Sequence, residues 1–214
     1  LADIFVPIIP AIVAGGLLMG IYSMLTAQGF FWEIPNELRM ALAAAQEAFN
    51  SVKDSGNAIA IADAQKALND AAIVGYSVVD RYPNISDLAS FINTISNAPF
   101  VFLPVLLGFS ATRKFGGNPF LGAALGMLLV HPDLADGWNY ALTLAQGEIK
   151  YWNVLGFEIE KVGYQGTVIP TIISAWVLAT LEKTFRKFVP SYLDNLVTPL
   201  FSLFIAGFLA FTVI

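Results

Sequence analysis

Apolar and polar residues fall in long blocks along this chain. Five windows are free of charge: Ile4–Trp32, Leu88–Thr112, Phe115–Pro132, Val162–Leu181 and Asn195–Ile214. A helix that crosses a bilayer core of about 30 Å needs about 20 apolar residues. The pattern predicts an all-α, polytopic membrane protein with about five transmembrane helices, near 4–25, 88–112, 115–132, 162–181 and 195–214. One such helix could be the buried core of a soluble domain. Five would leave nothing to form a wetted surface.

The segments between windows read differently. Residues 36–73 predict a helical hairpin inserted after the first span. Asn36 is a candidate N-cap, and Ser55-Gly56-Asn57 is a turn signal. Leu38, Leu42, Ala45 and Phe49 share one helix face, as do Ile61, Ala64, Leu68 and Ala71. Residues 133–161 carry no strong helix pattern. Trp138, Tyr151 and Trp152 there suit the headgroup level, where aromatic rings with a polar tip collect. Pro104 and Pro170 lie inside windows and predict kinks. Lys183–Asn195 mixes cations with aromatic residues around Pro190 and predicts an amphipathic surface helix on the cytoplasmic side.

Composition agrees. Of 214 residues, 57% are hydrophobic and 13% charged, with mean hydropathy +0.67; a soluble domain carries about 25% charged residues. Disorder is excluded by hydrophobicity. Net charge is −5, and no clustered basic face suggests nucleic-acid binding. The absence of cysteine removes disulfides, thiolate zinc sites and a cysteine nucleophile. No basic residue precedes the first window, so it does not read as a signal peptide. The chain begins with Leu and stops inside the fifth window, as expected of a fragment of a longer protein.

Arg113 and Lys114 lie between windows two and three; Lys183, Arg186 and Lys187 lie between four and five. These short loops fall on one side. The positive-inside rule makes that side cytoplasmic, and the N-terminus with it. Segments 32–87 and 133–161, on the other side, hold 13 acidic and 6 basic residues. The expected location is a membrane that the chain crosses several times, with the N-terminus on the cytoplasmic side.

Few residues invite chemistry. Gly16 with Gly20, and Gly122 with Gly126, form Gly-xxx-Gly pairs that let helix backbones meet closely, within the chain or in a dimer. His131, the single histidine, ends the third window in Val-His-Pro-Asp; it reads as an interfacial residue or one on a substrate path. Tyr164, Gln165 and Thr167 enter the fourth window, where polar groups need partners. They read as packing contacts or as ligands for sugar hydroxyls. No catalytic residue, metal site or cofactor is expected, and no carboxylate pair inside a window suggests a proton relay.

Five stretches resemble one family in the same order: Asp3–Gly20 (DIFVPIIPAIVAGGLLMG), Phe102–Met127 (FLPVLLGFSATRKFGGNPFLGAALGM), Val130–Leu134 (VHPDL), Lys161–Pro170 (KVGYQGTVIP) and Leu193–Leu200 (LDNLVTPL). The likeness is to the EIIC component of the bacterial phosphotransferase system, within its glucose superfamily. It covers about 1–32 and 88–214 and is closest to the sucrose branch, with trehalose permeases next. The resemblance implies import of a disaccharide with coupled phosphorylation. It also implies partnership with an EIIB domain and, through it, with EIIA, HPr and EI. The parent would be a protein-N(pi)-phosphohistidine–sugar phosphotransferase, though this stretch holds no phosphorylated residue. The family's sugar-binding glutamate and histidine would lie beyond Ile214, and His131 does not match that histidine. The chain, 1–214, then corresponds to the N-terminal scaffold and homodimerisation half of an EIIC domain. The 36–73 hairpin is longer than the family's usual loop.

One alternative is a structural membrane module that assembles without transporting. A channel is disfavoured, because neither charged rings nor a carbonyl filter is evident.

Overall fold

A computed structural model describes residues 1–53, 58–140, 149–154 and 156–214. The turn expected at Ser55-Gly56-Asn57 lies outside them. The chain divides into two compact units, residues 1–15 with 97–214, and residues 16–96.

The helices, in chain order, are α1 (Ala2–Phe5), α2 (Ile9–Thr26), α3 (Asn36–Val52), α4 (Ala58–Asp70), α5 (Val78–Arg81), α6 (Pro83–Val101), α7 (Leu103–Lys114), α8 (Pro119–Leu129), α9 (Ile169–Phe188) and α10 (Asp194–Thr212). Strands β1 (Tyr151–Val154) and β2 (Phe157–Glu160) pair antiparallel between α8 and α9. The expectation of an all-α chain is corrected by this hairpin. Trp152 faces Ile159 and Val154 faces Phe157; cross-strand partners share a face, which here is apolar. Tyr151 and Asn153 pair with Glu160 and Glu158 on the opposite, exposed face.

Among the described residues three segments are long and apolar enough to cross a membrane: Ile9–Thr26, Pro83–Lys114 and Asp194–Thr212. The other two expected spans differ. Helix α8 has 11 residues, about 16 Å at 1.5 Å per residue. Gly116-Gly117-Asn118 precedes it, and the chain turns at Val130–Leu134. Helix α9 begins at Ile169, seven residues after Val162; its 20 residues end in charge.

Further corrections concern local signals. The first window is broken at Val6–Ile8, so α2 starts at Ile9. Pro104 and Pro170 do not kink helices. Each sits in a first turn, where the missing N–H costs nothing. Pro99 and Pro199 are the helix-internal prolines. Pro35, not Asn36, precedes the first turn of α3 and makes no side-chain cap bond. Lys183–Phe188 forms the last turns of α9, and residues 191–193 form a turn, so no separate amphipathic helix spans 183–195.

The unit formed by 1–15 and 97–214 packs small residues inward and large apolar ones outward. On α10, Thr198, Ser202, Ala206 and Ala210 are buried, while Leu196, Leu200, Phe204 and Phe208 are exposed. On α9, Thr171, Ser174, Ala175 and Leu178 are buried, while Ile169, Ile173 and Trp176 are exposed. Water would penalise such a surface. Lipid would not, and small inward residues let helices approach closely. Ile4 and Ile8 join Leu103, Leu107, Ala111 and Ala175 in one core. Ser110 Oγ donates to the Ile4 carbonyl at 2.7 Å, and Lys114 pairs with Asp3.

In the unit of residues 16–96, α3 and α4 pack side by side through half-buried stripes at Leu42, Ala45 and Phe49 and at Ile61, Ala64 and Leu68. Its base is stapled. Gln28 Nε2 donates to Asp80 Oδ2 at 2.6 Å, and Gln28 Oε1 accepts the Tyr76 N–H at 3.0 Å. The Gly29 N–H reaches the Tyr76 carbonyl at 3.1 Å, and the Arg81 guanidinium sits 4.7 Å from the Trp32 ring centroid. The Gln28 amide, with the Ser77 hydroxyl and the Gly75 N–H, holds the Asp80 carboxyl below its usual range.

Candidate functional site

Two ends of the larger unit concentrate polar groups. The first lies where α7 hands over to α8 and α9 ends. Gly116, at φ +76°, lets the chain reverse through Gly116-Gly117-Asn118. Glu182, 2% exposed, accepts the Asn118 N–H on Oε2 and Arg186 Nη2 on Oε1, both at 2.7 Å. Lys183 Nζ donates to the Phe115 carbonyl. A carboxylate thus meets the N-terminus of α8 and an ammonium the C-terminus of α7, as the helix dipoles favour. Arg113 and Lys114 on α7 and Lys187 on α9 complete a cationic end.

The second lies at the opposite ends of the same helices. The chain leaving α8 runs beside the segment leading into α9. Ala135 N–H donates to the Lys161 carbonyl at 2.7 Å, Gly163 N–H to the Ala135 carbonyl at 2.8 Å, and Tyr164 N–H to the Leu129 carbonyl at 2.8 Å. Gln165 Oε1 then accepts the Gly137 N–H at 3.0 Å. The backbone approach requires glycine at Gly137, and the placement of the Gln165 side chain requires it at Gly163. A Cβ on Gly137 would overlap the Gly163 carbonyl, and one on Gly163 would overlap the Gln165 amide.

The result is a cavity of about 380 Å³ bounded by Tyr140, Glu160, Tyr164, Gln165, Thr167 and Phe211. Glu160 Oε2 accepts the Tyr140 hydroxyl at 3.0 Å, and this bond holds that hydroxyl above its usual range. The Tyr164 hydroxyl donates to the Ala210 carbonyl at 2.9 Å, which ties α10 to the wall. The Tyr164 and Phe211 rings lie 5.8 Å apart, and Trp152 backs Phe211 at 5.4 Å.

Of the residues singled out in the sequence, Tyr164, Gln165 and Thr167 line this cavity; the Thr167 hydroxyl donates to the Tyr164 carbonyl at 2.9 Å. His131 does not line it. Its Nδ1 accepts the Asp133 N–H at 3.2 Å, and its side chain is exposed. Gly122 and Gly126 are buried against α7, where a Cβ would overlap the Gly108 and Pro104 carbonyls. Gly16 and Gly20 have nothing within 4 Å of where a Cβ would be. Trp138 and Tyr151 are exposed at 63% and 49%. Sequence reasoning missed Tyr140, Glu160 and Phe211. The alternation in Tyr151-Trp-Asn-Val and Phe157-Glu-Ile-Glu was the signal for the hairpin that carries Glu160. Among the described residues no cluster of His, Cys, Asp and Glu could hold a metal.

A family model described as "Phosphotransferase system, EIIC" matches residues 55–214. The PTS system sucrose-specific EIIBC component of Pasteurella multocida (strain Pm70) is 65% identical over 214 residues, covering 100% of this chain and 36% of its own. That of Vibrio alginolyticus is 52% identical with the same coverage. The trehalose-specific EIIBC component of Bacillus subtilis (strain 168) is 40% identical, with 100% and 37% covered. The chain thus spans about a third of the length of these curated relatives. No solved structure matches.

Proposed function

This chain belongs to the phosphotransferase-system EIIC family, and from that premise we propose that it is the N-terminal membrane half of a permease that imports a disaccharide with coupled phosphorylation. Sucrose is the first candidate and trehalose the second. The observation that carries the reading is the 65% identity, over the whole chain, to a sucrose-specific component. The outward apolar faces of α9 and α10 suit a lipid environment.

In this reading the chain works within a longer polypeptide that supplies most of the sugar site, receiving phosphate through an EIIB domain and, upstream of it, EIIA, HPr and EI. The membrane is the bacterial inner membrane. Five crossings are drawn near the five apolar windows, with α8 contributing a short helix paired to α7. The cationic end that holds Arg113, Lys114, Lys183, Arg186 and Lys187 faces the cytoplasm, as does the N-terminus. The α3–α4 hairpin is then extracytoplasmic. Gly122 and Gly126 serve packing within the chain. Gly16 and Gly20, open on α2, serve a homodimer contact.

The test is phosphoenolpyruvate-dependent phosphorylation of radiolabelled sucrose and trehalose. It uses membrane vesicles carrying the full-length protein and the soluble phosphotransfer proteins. Label on one sugar is expected. No label on either, with the protein folded and inserted, would favour a scaffold that does not transport.

A further inference from the structure

Among the described residues, the groups that line the cavity at the non-cationic end of the larger unit have hydrogen-bonding capacity left over. Gln165 spends its carbonyl oxygen on the Gly137 N–H. Its NH2 group, with two donors, donates to no group among the described residues. Glu160 accepts one hydrogen bond, from Tyr140, and joins no ion pair among the described residues. A carboxylate has about four acceptor sites. Among the described residues the lining therefore offers unspent donors and unspent acceptors together. One wall is aromatic, formed by Tyr164 and Phe211.

This combination is selective. Vicinal hydroxyls on a ring act as donors and acceptors at once, so they match a carboxylate and an amide side by side. The C–H faces of the same ring match an aromatic wall. An anion would be repelled by Glu160. A volume of about 380 Å³ falls at the small end of ligand sites, which run from about 300 to 1,000 Å³. It suits one or two sugar rings.

We infer that this cavity is an outward-facing docking site for a disaccharide, in which Glu160 and Gln165 bind ring hydroxyls and Phe211 with Tyr164 supports an apolar ring face, ahead of the carrier's central site. The inference rests on the transport reading and orientation given above. Gly163 is a positioning residue here, because only a glycine leaves room for the Gln165 amide.

The test measures sucrose uptake against external concentration in right-side-out vesicles. They carry the full-length protein and enclose phosphoenolpyruvate and the soluble phosphotransfer proteins. Glu160→Gln keeps an acceptor for Tyr140 and removes the charge. Gln165→Glu keeps an acceptor for Gly137 and removes the donors. Each is expected to raise KM about tenfold, Glu160→Gln by weakening a charge-assisted hydrogen bond and Gln165→Glu by deleting a neutral donor beside an added charge, with kcat changed less than about twofold. Gly163→Ala is expected to reproduce the Gln165→Glu shift. Both conservative variants retaining the wild-type KM would overturn the inference, as would a fall in kcat at unchanged KM. Wild-type vesicles that phosphorylate no sucrose or trehalose would instead overturn the transport reading.

Discussion

Glu182 and Asn118 lie 64 positions apart in sequence, yet the buried Glu182 carboxylate accepts the Asn118 backbone N–H at 2.7 Å. That bond satisfies a donor at the start of α8 that no intrahelical carbonyl can reach. It also anchors α8 to α9. Glu182→Leu should lower stability by about 1–3 kcal/mol, the cost of an unsatisfied buried donor. Arg186, half exposed, stays in contact with water and adds little. Glu182→Gln keeps an acceptor and should cost less than half as much. Thermal unfolding in detergent would check the ranking, and a Gln variant as weak as Leu would contradict it.

The two Gly-xxx-Gly pairs should respond oppositely to alanine. Gly122→Ala places a methyl against the Gly108 carbonyl and Thr112, and should cost about 1–3 kcal/mol through overpacking. Gly16→Ala meets nothing and should hold stability or raise it by up to about 1 kcal/mol, the gain of alanine over glycine in a helix. Protease resistance and unfolding midpoints measure both. A change in oligomeric state with Gly16→Ala at unchanged stability would mark that face as the dimer contact.

Asp80 gives the staple below α3 and α4 a pH dependence. Its carboxyl is held below the usual range, chiefly by the Gln28 amide. A group with a depressed folded pKa stabilises above its unfolded value of about 3.9. The stabilisation is lost as pH falls through the folded value. Amide exchange at Gly75, whose N–H donates to Asp80 Oδ2 at 3.0 Å, should therefore gain an opening component below about pH 4. Asp80→Ala should abolish that component, and exchange that follows only intrinsic acid chemistry would refute it.

Residues 1–214 contain no cysteine, so cysteines introduced there can report orientation when labelling is compared with the full-length parent without them. In intact cells a membrane-impermeant maleimide should label Glu158→Cys on β2 and miss Lys187→Cys on α9. Both positions are exposed in this structure. The reverse pattern would invert the topology.

Much of this was legible in the residues. The half-buried faces of α3 and α4 follow the spacing of Leu42, Ala45 and Phe49 and of Ile61, Ala64 and Leu68. The apolar blocks mark α2, α6 with α7, and α10. Hydropathy counts apolar residues but does not see helix ends, so it overextended α8 past Gly117-Asn118 and started α9 too early. Gln165 and Thr167 stood out as polar residues entering an apolar block. Tyr140 and Glu160 did not, because they meet across 20 positions only where the chain after α8 pairs with the segment leading into α9. His131 was conspicuous for its chemistry, but its ring is turned to its own loop.

The staple at Gln28, Tyr76 and Asp80 makes the excursion from Trp32 to Val74 a closed cassette. Once its feet are fastened, lengthening such a loop costs only a logarithmic term, about 0.6 kcal/mol per doubling. Lineages could lengthen, shorten or redecorate this hairpin while leaving the residues at its feet alone. The same property makes this cassette the natural place to graft an epitope or a fluorescent reporter.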